Sequence, residues 1–97
     1  MFDKIKGLME MRKKLEAVKK ELDNTEFDIA GSGGLVKLTM NASQEVKEVF
    51  LTSVLDEAGK DKLQRELKDV FNRGVKRSQE IAAQKMKEAT GLNLPGM

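Results

Sequence analysis

The chain has 97 residues, 18 Lys and Arg against 16 Asp and Glu, and no His, Cys, Trp or Tyr. Without His there is no ordinary general base near neutral pH, and without Cys and His together the usual zinc, haem and thiol chemistries are excluded. A length near 100 residues predicts one domain with a modest core, to which a partner subunit would add.

Zero cysteines mean no reliance on disulfides, the habit of a reducing cytoplasm. No run approaches the ~18 apolar residues of a membrane span. Asp3, Lys4, Lys6 and Glu10 leave no room for the apolar core of a signal peptide. A soluble, cytoplasmic protein is expected. Asp56-Glu57 and Glu26 with Asp28 are the available carboxylate pairs, and adjacent acids on a connector or a solvated strand face read as surface. The chain is therefore expected not to be an enzyme, with no catalytic residue, metal site or cofactor.

The net charge of +2 conceals a pattern: residues 1–24 sum to +2, residues 25–59 to −4 and residues 60–97 to +4. The ends are basic and the middle is acidic. Such asymmetry fits a polyanion-binding surface as well as simple solubility.

In chain order, Leu8, Met11, Leu15, Val18 and Leu22 recur at spacings of three and four, which predicts a helix over residues 1–24 with a heptad seam. Lys6, Lys13 and Lys20 take the position opposite the seam, with Arg12 and Lys19 beside it. Two and a half heptads are too few for a free coiled coil, so the seam must pack on something larger. From Glu26 the period changes to two. Phe27 and Ile29 mark one strand, Gly31-Ser32-Gly33-Gly34 a turn, and Val36, Leu38 and Met40 a second strand. Asn41 to Gln44 form another turn, and Val46 to Leu51 a third strand whose alternation slips by one, as at a bulge. Three strands over 26–51 joined by short turns make an antiparallel meander. The glycines do not open a helix and lack the Lys-Ser/Thr of a phosphate-binding loop, so they are expected to provide positive φ or close backbone approach.

Residues 52–59 read as a connector and 60–90 as one long helix, with Leu63, Leu67, Val70, Phe71, Val75 and Ile81 on its apolar arc. Gly74, Ser78 and Ala82, four apart, form a small-residue patch. Together with Val36, Leu38 and Met40 they are the candidate positions for packing between helices or between copies. Opposite lie Lys62, Arg65, Arg73, Lys76 and Lys87, with Asp69 and Glu80 among them. Thr90-Gly91 is a plausible helix end, and Pro95 predicts an extended tail over 91–97. The fold class is α+β, in the order α-β-β-β-α.

Gly33-Gly34-Leu35-Val36-Lys37-Leu38-Thr39-Met40-Asn41, then Glu45-Val46, and the ending Lys85 to Gly96 with its Thr-Gly-Leu-Asn-Leu-Pro-Gly resemble the YbaB/EbfC family of nucleoid-associated DNA-binding proteins. The likeness spans nearly the whole chain, in a single domain. Ala42 stands where the family usually has Gly, and Gly74 and Ser78 where it usually has Ala. The resemblance implies a homodimer joined largely through the sheet, with helices that project and contact double-stranded DNA in the nucleoid. Lys6, Arg12, Lys13, Lys19, Lys20, Arg73, Lys76, Arg77 and Lys87 are then the expected DNA contacts. With no Trp or Tyr and four Phe at core-like positions, stacking on single-stranded bases is disfavoured. A protein-interaction module using the helical apolar seams is the alternative reading.

Overall fold

The switch from a period near 3.6 to a period of two and back divides the chain as the sequence predicts. The computed structural model describes residues 2–52 and 57–91, which form helix α1 (Phe2–Asp23), strands β1 (Glu26–Ala30), β2 (Val36–Asn41) and β3 (Val46–Leu51), and helix α2 (Glu57–Thr90). The strands make one antiparallel sheet in the order β1-β2-β3. Pairing of β2 with β3 shifts register between Thr39 and Met40, which is the bulge expected from the slipped alternation. Helix α2 begins at Glu57 and not at 60. Gly59, read as part of the connector, lies in its first turn, and the acidic Glu57 there suits the positive end of the helix dipole. The tail from residue 92 on lies outside the described residues.

Alternation on β2 is what builds the core. Val36, Leu38 and Met40 point to one face and are buried together with Val70 of α2, while Phe27, Ile29, Leu63 and Leu67 pack around them. Gly74 is also buried. A Cβ at that position would run into the Met40 sulfur, so this glycine lets the helix lie close on the sheet. Ser78 is buried one turn further on, and its hydroxyl donates to the carbonyl of Val75 at 2.7 Å. Gly74 thus serves the chain's own helix–sheet packing, Ser78 is buried within the same chain, and Ala82 is half-buried.

The end of α1 is tied to the β2–β3 turn through one buried side chain. Asn41 donates from Nδ2 to the carbonyl of Asp23 at 3.2 Å and to Glu45 Oε1 at 2.8 Å, while its Oδ1 accepts from the amides of Ser43 and Glu45. All the hydrogen-bonding capacity of the amide is used, as burial requires. Ala42 is buried beside it, and its amide donates to the carbonyls of Leu22 and Thr25. Helix α2 closes as expected, with Gly91 at φ 71° and its amide on the carbonyl of Lys87.

The molecule is long, with extents of 67 × 22 × 16 Å. Helix α2, with 34 residues, accounts for about 51 Å of helix axis at 1.5 Å per residue. Only the last turns of α1 are covered: Val18 is buried and Leu22 half-buried, whereas residues 3–17 are exposed throughout. Leu8 is 71% exposed and Ile5 52%, so the first half of the heptad seam has no cover among the described residues. No helix among the described residues is long and apolar enough to cross a membrane.

Candidate nucleic-acid interface

A heptad repeat of lysine places Lys6, Lys13 and Lys20 in one line along α1, spanning about 21 Å of helix axis. All three are exposed, as are Arg12 and Lys19. Arg12 is held by Glu16 at 3.1 Å, one turn on. The four lysines have no ion-pair partner among the described residues, so their charges point into solvent unneutralised.

The candidates on α2 divide differently. Arg73 is bound twice, to Asp69 at 2.8 Å and to the carbonyl of Ala30 on β1 at 2.7 Å. It braces the outer edge of the sheet. Arg77 pairs with Glu80 at 3.6 Å. Lys76 and Lys87 are exposed and have no ion-pair partner among the described residues. Of the nine candidates, the six lysines are thus exposed without an ion-pair partner among the described residues, and the three arginines are paired with acids. Lys85, absent from the expected set, crosses to α1 and donates to Glu21 Oε1 at 2.7 Å. That hydrogen bond, with Glu21 and Glu88 nearby, holds the Lys85 pKa above its usual value against some loss of hydration.

The packing candidates go elsewhere. Val36, Leu38, Met40, Gly74 and Ser78 are buried within one chain, so a contact between copies would have to use other surfaces. Strand β3 is exposed along all six residues. Val46, Val49 and Leu51 stand opposite Met40, Leu38 and Val36, on the face that α2 covers over β1 and β2 but leaves largely open over β3. Phe71 is 42% exposed. It lies about 200° around α2 from Arg73, which reaches β1, and so it faces the β3 side. Phe50 is likewise exposed, with Lys37 over its ring at 4.9 Å. Phe50 and Phe71 are thus surface residues, contrary to their expected core positions: Phe50 pairs with Lys37 on the sheet face turned away from α2, and Phe71 faces the strand that α2, one helix wide, leaves open.

One buried charge was not foreseen. Glu66 of α2 is 7% exposed, and its carboxylate accepts from the amide of Gly33 at 2.6 Å and from that of Leu35 at 3.2 Å. A Cβ on Gly31 would overlap that carboxylate. Gly34 has φ 75°, so the glycine turn meets both expectations, close approach at Gly31 and positive φ at Gly34. Among the described residues no cluster of acidic side chains could hold a metal ion.

The chain is a small α+β domain with a projecting helix, a row of unpaired lysines along it and an open sheet edge. Comparison with known sequences makes the class specific. The family model for the YbaB/EbfC DNA-binding family matches residues 1–93, and the chain belongs to that family. It is 32% identical over 95 residues to a nucleoid-associated protein of Clostridium acetobutylicum, covering 96% of this chain and 85% of that one. It is 35% identical over 86 residues to a nucleoid-associated protein of Persephonella marina, covering 86% and 78%. An uncharacterized protein from Helicobacter pylori, known from its crystal structure, shares the fold with TM-score 0.67 and 23% identity over 82% of this chain and 86% of that one.

Proposed function

We propose that the protein is nucleoid-associated, acting in the cytoplasm on double-stranded DNA as a homodimer, with a role in nucleoid organisation or gene regulation. The observation that carries the reading is the line of unpaired lysines on α1, Lys6, Lys13 and Lys20 with Lys19 beside them. Evenly spaced cations on a straight rod suit the regular negative charge of a duplex backbone. Affinity then comes chiefly from phosphates and falls steeply with salt, with little sequence preference. The relatives named as nucleoid-associated support the same reading.

The dimer is proposed to form through β3. An open edge with apolar residues on one face is a template for pairing, and Val49, Leu51 and Phe71 supply apolar surface that a second copy would cover. Two copies double the lysine rows.

Mobility shift on a duplex at several salt concentrations tests the reading, with wild type against Lys13→Glu/Lys20→Glu. Binding should weaken with salt and should collapse in the variant; binding indifferent to both would rule it out. The exposed Ile5, Leu8 and Met9 favour a second reading, in which α1 docks on another protein through apolar contact. Partners retained from lysate after nuclease treatment, with no DNA retained, would support it.

A further inference from the structure

The free cations of α2 are not confined to Lys76 and Lys87. Lys62 and Arg65 near its start are exposed and have no ion-pair partner among the described residues. They line a cleft of about 390 Å³ whose other wall is Ser32, Gly33 and Leu35 of the glycine turn. Two carboxylates also line it, and both are already engaged. Glu66 is held by the amides of Gly33 and Leu35, and Asp69 by Arg73. Arg73 offsets Asp69, and Lys62 with Arg65 outnumbers the remaining Glu66 carboxylate, so the lining is cationic by one charge, and Arg65 offers the planar fork that suits a phosphate.

We infer that this cleft is a second contact for duplex DNA, in which Lys62 and Arg65 hold a backbone phosphate against the glycine turn. The inference rests on the DNA-binding reading and adds a site to it. The cleft is remote from α1: Glu66 lies 19 residues before Lys85, the residue that meets α1, or about 28 Å along α2. It is on the flank where Arg73 reaches β1, so a dimer joined through β3 leaves it open. The 67 Å long axis equals about two turns of duplex at roughly 34 Å each, so one duplex is long enough within two turns to span the distance between the two contacts.

Two measurements test the cleft. Lys62→Gln/Arg65→Gln should weaken duplex binding about tenfold near 0.1 M salt and make the slope of log K against log salt shallower by about one per cleft, for the one phosphate it holds. An unchanged thermal midpoint shows that the fold is intact. The chain has no cysteine, so Ser32→Cys can carry a single photoactivatable benzophenone; it should crosslink to duplex DNA, whereas the same label at Glu48→Cys should not. If wild type shifts duplex DNA but the double variant keeps its slope and the Ser32 label stays uncrosslinked, the cleft is not a contact and the α1 reading survives. If wild type binds no duplex, both fall. Calorimetric titration with inorganic phosphate alone should give no heat at millimolar concentration; saturable binding that duplex DNA fails to displace would reassign the cleft to free phosphate and overturn the inference.

Discussion

Leu38 and Val49 are cross-strand partners on the same face of the sheet, yet Leu38 is fully buried and Val49 is 53% exposed. One helix lies over the first two strands and stops short of the third. On the β1 side of α2 the fit leaves no slack, with Met40 against Gly74 and Glu66 against Gly31. On the β3 side, and along the first half of α1, apolar side chains face water. The difference teaches that the chain completes only half of its own core. The finished half fixes the fold, and the unfinished half is the surface on which the proposed dimer rests.

The contrast can be broken hardest at its buried end. Leu38→Ala should cost about 2–5 kcal/mol, read from urea denaturation, because it removes a fully enclosed side chain and leaves a cavity. Val49→Ala should cost far less below the concentration at which dimers form. Equal losses would mean that β3 is as well covered as β2. Next in size is Gly31→Ala, whose methyl must displace the Glu66 carboxylate and with it charge-assisted bonds to two amides, at about 2–3 kcal/mol. Glu66→Ala removes the same bonds, so the double variant should be little worse than either single one. Additive losses would show that Gly31 matters for a reason other than Glu66.

On the unfinished side, Val49→Asp should leave the protomer folded and weaken dimerisation at least tenfold, or about 1.4 kcal/mol, as measured by light scattering across a dilution series. A variant that keeps the wild-type mass at every concentration would move the interface away from β3. This is also the largest feature that the sequence conceals. Alternation along Val46 to Leu51 reads the same whether its apolar face meets the chain's own helix or another copy, since period marks sidedness and not cover. The elements themselves were legible, because the period changes at Glu26 and again after the connector, and turn chemistry at Gly34 and Asn41 falls between them. Glu66 was illegible for a related reason: a single Glu in a charge-rich helix looks solvated until its partners, more than 30 residues away, are known. The basic candidates were legible as residues but not as free charges. Arg73 is tied to a carbonyl 43 positions away, which no local pattern announces.

The smallest expected effect lies at the joint between the two halves, where Lys85 of α2 meets Glu21 of α1. The Glu21 hydrogen bond is the main cause of the raised Lys85 pKa, so the folded chain holds this proton more tightly than the unfolded one does. A group with a raised folded pKa stabilises fully below its unfolded value, near 10.5, and that contribution fades as pH climbs through the folded value. Lys85→Met keeps the aliphatic stem and removes the charge. The thermal midpoint of the variant should therefore fall slightly below wild type at pH 8, and the gap should close as pH rises past 10.5. Added salt should narrow the gap at pH 8 as well, because Glu21 is largely exposed and its charge is screened. A gap that stays constant against both pH and salt would mean that α1 is held by the packing of Val18 and Leu22 and by the hydrogen bonds of Asn41 and Ala42, and that the angle of the lysine row does not depend on this pair.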